Sequence, residues 1–256
     1  MSWRTFLALL HRDLVVSVRD LFSFLVRTLI QPAFLVVILG NVMPRLGLVA
    51  PDLTTIMLPG MIALSMLFAG MQAVAMPLII EFGYTKEIED RLLAPIGIRT
   101  LAVEKIVMGA LQAVFAGLAI LPLGVYLVYG EVRLDFSHPL ILISVVLGIA
   151  VVSASFGLFL GALIDPQKIG LMMSAIVAPI LFFGCTYYPW RGLEAVPWLQ
   201  KVVLINPLVY ASEGLRAALT PQVPHMGLTG IYLGLGLSML LFLVVGVQAF
   251  CRRLTI

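Results

Sequence analysis

Few residues of this chain have the types and spacing that catalysis requires. The three histidines, His11, His138 and His225, are far apart, and the sequence contains neither HExxH nor GxSxG. A phosphate-binding loop of the GxxxxGK type needs glycine directly before lysine, whereas threonine, glutamate or glutamine precedes all four lysines. We therefore expect no catalytic site, no metal site and no cofactor bound by this chain, so that any ATP hydrolysis would need another polypeptide.

Charged residues are densest over 81–105, which holds five acidic and four basic side chains. The pattern predicts a short helix over 85–93, because Thr85 can cap it and Glu87 and Glu89 favour its first turn. A proline and a glycine follow and would end this helix. Its acidic side suits the groove of a soluble partner, and the alternative is a solvated linker.

A pair of opposite charges directly precedes the last charge-free run of the sequence. Glu213 and Arg216 are at positions i and i+3, so they can pair on one face of a helix. Such pairing reduces the cost of placing both charges at membrane depth. The alternative is an exposed interfacial pair that contributes little to stability.

Long runs of sequence without charged residues predict the elements that position these side chains. With 61% hydrophobic residues and a mean hydropathy of +1.10, the chain cannot be a water-soluble domain. Six charge-free runs extend over 28–44, 53–80, 106–130, 136–164, 169–190 and 217–251. All but the first exceed the roughly 20 residues that a spanning helix needs.

The runs are apolar on every face, which favours helices over the alternating strands of a barrel. We therefore predict an all-α, polytopic membrane protein, a single domain over 1–256. Its six transmembrane helices are expected over 24–43, 54–80, 104–129, 139–163, 169–188 and 226–250.

Lys and Arg are distributed unequally between alternate loops. Eleven of the sixteen lie in the N-terminal segment, the 81–105 loop, the 164–168 turn and the C-terminal tail. Cytoplasmic loops carry the excess of basic residues, so both termini should be cytoplasmic. The same rule explains the net charge of +3 without nucleic acid, which we exclude as a partner.

Residues 1–20 are predicted to form an amphipathic helix in the cytoplasmic membrane interface. Apolar residues from Trp3 to Val18 recur at helical spacing, while Arg12 lies among charged residues on the other side. The alternative is a cytosolic extension of the first spanning helix.

The segment over 187–224 is rich in tryptophan, tyrosine and proline, which suits the headgroup level of a membrane. We predict outer re-entrant helices over 193–219. Asn206 before Pro207 marks the break between them.

Three blocks of sequence indicate a family. They are LPGMIALSMLF over 58–68, KEIEDRLLAPI over 86–96 and a distal block that runs from PILFFGCTYYP at 179–189 to INPLVYASEGLRAAL at 205–219. With these blocks the chain resembles, over essentially its whole length, the ABC-2 type permeases, the membrane subunits of one class of ATP-binding-cassette exporters. Within that family it resembles the daunorubicin-resistance and nodulation-factor exporter branch.

The resemblance implies a complex in the bacterial cytoplasmic (inner) membrane. Two copies of a separate ATPase subunit would bind ATP and Mg²⁺, and a second permease copy would complete a homodimer among membrane lipids. The interfacial helix and a coupling helix in the first cytoplasmic loop would contact the ATPase. By position, the coupling residues are Thr85, Glu87, Glu89, Asp90, Arg91 and Arg12.

The resemblance also implies a central substrate pathway lined by the second and fifth spanning helices. The side chains that recur on one face of these two helices are Met61, Ser65, Phe68 and Gln72, and Met172, Ile176, Pro179 and Phe183. A lining rich in Met and Phe suits amphipathic cargo. The alternative is that these side chains face lipid or pack between helices.

Together these features predict the permease subunit of an ATP-driven exporter for an amphipathic molecule, such as a drug-like natural product, a lipid or a lipid-linked glycan. One alternative is a secondary transporter driven by an ion gradient, which would normally place ionisable residues at mid-membrane. Another is a membrane scaffold that transports nothing, which would explain the polar loop but not the outer segment.

Overall fold

The computed structural model describes residues 3–48, 53–85, 97–126 and 134–254. Within these ranges the chain is almost entirely helical and contains no β-strand, which confirms the all-α prediction. The helices are α1 (Trp3–Arg19), α2 (Leu21–Val37), α3 (Leu53–Ile80), α4 (Ile98–Tyr126), α5 (Pro139–Leu163), α6 (Ile169–Phe182), α7 (Pro197–Val202), α8 (Pro207–Leu219) and α9 (Leu228–Leu254).

Shorter helical turns complete these elements. A π-helical turn and a single α-helical turn extend α2 over Ile38–Val42 and Met43–Arg45, and a second π-helical turn, Glu81–Thr85, extends α3. Turns of 3-10 helix occupy Pro166–Lys168, Trp190–Ala195 and Val203–Ile205.

Four helices of the described chain are long and apolar enough to cross a membrane. They are α3 with its extension to Gly83, α4, α5 and α9. Two bent helix pairs also meet this test, one within 22–45 with a bend of 44° and one within 197–219 with a bend of 101°. The described residues therefore provide four candidate spans, or up to six if each bent pair counts as one.

Helix α3 is the centre of the bundle. In its most apolar window 72% of the residues are buried inside the protein, against 22% in that of α9. The helix passes through Pro59 and Pro77 without a break in its assignment. A peripheral α9 leaves most of its apolar surface facing outward, as expected for a helix in contact with lipid.

Small residues allow the central helices to approach closely. A Cβ atom added at Gly157 of α5 would lie 2.5 Å from the backbone oxygen of Met71 in α3. One added at Gly109 of α4 would lie 2.4 Å from a methyl carbon of Val74. Within a membrane, such close packing replaces the hydrophobic effect as the force that holds helices together.

Helix α6 is shorter than the sequence predicts. A spanning helix is expected over 169–188, whereas α6 has 14 residues and ends at Phe182. At 1.5 Å per residue this is about 21 Å, less than the roughly 30 Å of hydrocarbon. Beyond α6 the chain turns at Cys185, whose φ of 51° is left-handed.

Candidate functional site

At one end of the bundle, two opposite charges are buried together. Glu213 and Arg216 both have 0% exposed side chains, and the guanidinium Nη1 of Arg216 donates to Oε1 of Glu213. Both residues lie on α8, one turn apart. The structure therefore excludes the alternative of an exposed interfacial pair.

The remaining donors of Arg216 reach the backbone of two other segments. Nε and Nη2 each donate to the carbonyl oxygen of Ile56 in α3 at 3.3 Å, and Nη2 donates to that of Cys185 at 3.1 Å. Arg216 thus joins α8 to the first turn of α3 and to the turn that follows α6.

The carboxylate of Glu213 accepts hydrogen bonds from the backbone of two further segments. Trp190 N donates to Oε1 at 2.9 Å, and Met226 N donates to Oε2 at 2.6 Å. The pair therefore joins α8 to α3, to the turns that contain Cys185 and Trp190, and to the segment that leads into α9. We call Glu213, Arg216 and these backbone partners the buried ion-pair hub.

Asn206 and Pro207 lie at the sharp break before α8. Asn206 Oδ1 accepts from Leu208 N at 3.0 Å and so caps α8, while its Nδ2 donates to Ile180 O at 2.9 Å in α6. Pro207 is buried at the first position of the helix, where a missing N–H costs nothing. The break therefore docks on α6 as well as starting α8.

A second charged cluster is buried at the opposite end of the bundle. This end contains α1 and the last turn of α9. Lys105 Nζ lies 2.8 Å from Glu81 Oε1 and 3.6 Å from Asp13 Oδ2. The three side chains are 6%, 7% and 15% exposed. This cluster joins α1, the π-helical turn after α3 and the first turns of α4.

Arg253 lies on α9 at the same end. Its Nη1 donates to the carbonyl oxygens of Gly161, Ala162 and Ile164, at distances of 2.9 to 3.2 Å. These carbonyls end α5, where a cation also interacts favourably with the helix dipole. The guanidinium carbon lies 4.5 Å from the ring centroid of Phe82.

The π-helical turn over 81–85 is held on several sides. A Cβ added at Gly83 would lie 2.1 Å from Pro166 Cγ in the turn between α5 and α6. Phe82 contacts Phe250 of α9 edge to face, with ring centroids 6.0 Å apart. We call the contacts of Glu81, Phe82 and Gly83 the loop base, because the polar loop starts from this turn.

The predicted coupling residues are placed only in part. Thr85 is the last residue of the π-helical turn, and Arg12 is exposed on α1. Glu87, Glu89, Asp90 and Arg91 lie outside the described residues. The structure therefore defines the loop base from which a coupling helix would start, and the helix itself stays a prediction.

The predicted pathway residues do not form one lining within the protomer. Met61 and Ser65 are buried, Ile176 is half-buried, and Pro179 and Phe183 are exposed. The side chain of Met172 lies outside the described part of the chain.

Only some of the pathway residues come together. Phe68 and Ile176 pack against the same cluster around Met71, Phe156 and Leu160. Gln72 lines a cavity of about 650 Å³ between α1, α2, α3 and α4.

Sequence reasoning did not assign roles to Asp13, Glu81, Lys105 and Arg253. A signal was present for two of them, since Glu81 directly follows the charge-free run over 53–80 and Lys105 directly precedes the run over 106–130. A charge at the border of a spanning segment needs a partner or the headgroup region. Which partner each has is not visible in the sequence, because the two residues are 24 positions apart.

Comparison with known proteins identifies the domain that carries these features. A family model described as ABC-2 type transporter matches residues 4–220. No curated protein matches the chain.

Proposed function

The chain belongs to the ABC-2 type transporter family and is a multi-pass membrane permease, and on that premise we propose that it serves an ATP-driven exporter. Its cargo is an amphipathic molecule: a drug-like natural product, a lipid or a lipid-linked glycan. Membership of the daunorubicin-resistance and nodulation-factor branch belongs to the same proposal. The permease has no catalytic role of its own.

The proposed energy source is a separate ABC ATPase, present in two copies, which binds ATP and Mg²⁺. It contacts the coupling helix over 85–93 and the α1 helix around Arg12. The permease pairs with a second copy of itself in a bacterial inner membrane. Both termini, and with them the loop base, face the cytoplasm where ATP is found.

The loop base is the observation that carries this proposal. Glu81 is bonded to Lys105 of α4, Phe82 lies beneath Arg253 of α9, and Gly83 contacts Pro166. A force applied to the polar loop would therefore act on three further parts of the bundle at once. This arrangement is what a transmission point between a soluble motor and a membrane domain requires.

Co-purification with a candidate ABC ATPase tests the proposal. We expect Glu89→Arg to abolish association, because it reverses a charge in the proposed contact. Glu194→Arg is the matched control, since Glu194 is exposed at the opposite end of the bundle.

Loss of the complex in Glu89→Arg with retention in Glu194→Arg is the expected result. If the wild-type permease binds no ATPase, the gradient-driven transporter and the membrane scaffold become the better descriptions. Equal association of both variants with the ATPase would show that the polar loop is not the contact.

A further inference from the structure

The cavity between α1, α2, α3 and α4 has a lining with a distinct charge. Asp20 and Glu81 both contribute to it, and no lysine, arginine or histidine is found among the described residues that line it. Its volume of about 650 Å³ is in the range of sites for drug-sized molecules. Because Lys105 pairs with Glu81, Asp20 is the carboxylate that gives the lining its negative charge, and this charge favours cations over anions.

The walls of this cavity are aromatic and apolar. Phe24 of α2 and Phe115 of α4 approach with ring centroids 6.4 Å apart and both line it. Met76 and Met108 contribute polarisable side chains that adapt to ligands of different shape. Aromatic faces also attract cations directly.

The cavity extends along the bundle beside α3. Glu81 and Gln72 both line it and are nine residues apart along one helical stretch, or about 13 Å. Gln112 Nε2 donates to Ser17 Oγ at 2.9 Å and so holds α1 against α4 as one wall. A ligand that matches this lining carries a positive charge on an apolar body.

We propose that this cavity binds a lipophilic cation, with its charge near Asp20 and its apolar body against the adjoining rings of Phe24 and Phe115. Glu81 is ion-paired with Lys105, so Asp20 is the carboxylate whose charge is best tested. The site lies within one protomer, and of the proposed pathway residues on α3 it shares Gln72, whereas Met61, Ser65 and Phe68 do not line it. Binding of this ligand goes beyond the proposed function. Only transport of the bound ligand would rest on the proposed function.

Equilibrium binding of tritiated tetraphenylphosphonium tests this proposal. The purified full chain, without any ATPase, is placed in phosphatidylcholine nanodiscs, and empty nanodiscs give the contribution of lipid partitioning. Tetraphenylborate, an anion of the same shape, is measured in parallel. Because no ATPase is present, failure here is distinguishable from failure of the proposed function.

Three variants locate the binding. We expect Asp20→Asn to weaken tetraphenylphosphonium binding roughly three- to fivefold, as for loss of one partly exposed ion pair. Ala73→Phe places a ring in the cavity and should abolish saturable binding. Asp165→Asn is the matched control and should bind as the wild type does, because Asp165 is exposed at the same end but does not line the cavity.

Saturable binding of the cation above empty nanodiscs, with these effects of the variants, would support the site. Three results would overturn it: no saturable binding in the wild type, equal saturable binding of tetraphenylborate, or wild-type affinity in Asp20→Asn. If Ala73→Phe is misfolded and does not elute as a monodisperse peak, the comparison of Asp20→Asn with Asp165→Asn still decides whether the cation binds in this cavity.

Discussion

A buried arginine is stable only where its charge and its five N–H donors are met inside the protein. In the buried ion-pair hub, Arg216 reaches a carboxylate and two backbone carbonyls, and Glu213 accepts from two backbone amides in addition. Removing either charge would leave the other uncompensated at 0% exposure. The hub therefore acts as a structural unit rather than as a weak surface pair.

At the residue scale we predict that Glu213→Gln and Arg216→Met each lower the free energy of unfolding by about 3–5 kcal/mol. The double variant should lose less than the sum of the two, because it leaves no single buried charge. Reversible denaturation in mixed micelles measures these differences. Glu194→Gln, at an exposed position on the same end, is the control. A single variant as stable as this control would show that the pair contributes little.

At the element scale, close packing of the helices depends on glycines, which have no side chain. Gly157 and Gly148 are both on α5 but differ in surroundings. A Cβ at Gly157 would lie within 3.1 Å of three backbone atoms of Met71, which cannot rotate away, whereas the nearest atom at Gly148 is Leu235 Cδ1 at 3.7 Å. Added volume is therefore tolerated poorly where α5 contacts α3 at Gly157 and well at Gly148.

We predict that Gly157→Ala destabilises the protein by about 1–3 kcal/mol through overpacking. Gly148→Ala should be neutral or slightly stabilising, because alanine has the higher helix propensity. Thermal unfolding of both variants in the same detergent compares them. Equal unfolding midpoints would mean that α3 and α5 move apart easily and that their close approach does not contribute to the stability of the protein.

The sequence carries information on elements that the membrane itself imposes. Charges are costly in lipid, so the charge-free runs mark apolar helices, and their uniform apolarity distinguishes helices from barrel strands. Asn206 and Pro207 form a local capping signal, and the structure has the 101° bend between 205 and 207. Signals of this kind are contained in a few neighbouring residues.

Features that depend on distant residues were not predictable in this way. Helix α6 ends early where Asn206 donates to Ile180 O and Arg216 to Cys185 O, across 26 and 31 positions. One wall of the cavity includes the bond between Gln112 and Ser17, which are 95 positions apart. Nothing in the local sequence at either position specifies the other.

At the scale of the whole molecule, the two charged assemblies lie at opposite ends of the bundle and share α3. Arg216 bonds to the carbonyl of Ile56 in the first turn of that helix, and Glu81 directly follows its last residue. The same helix packs on α4 and α5 between these points. A continuous, buried central helix of this kind is suited to carry a displacement from the loop base to the hub.

The central claim is that a separate ATPase drives this permease through the loop base. The most direct measurement is the rate of ATP hydrolysis by the ATPase in lipid nanodiscs, alone, with the wild-type permease and with Arg253→Gln. We predict that the wild type changes the rate several-fold, and that Arg253→Gln still binds the ATPase but loses most of this effect, because Arg253 joins Phe82 to the end of α5. An ATPase rate that is the same with and without the wild-type permease would contradict the account.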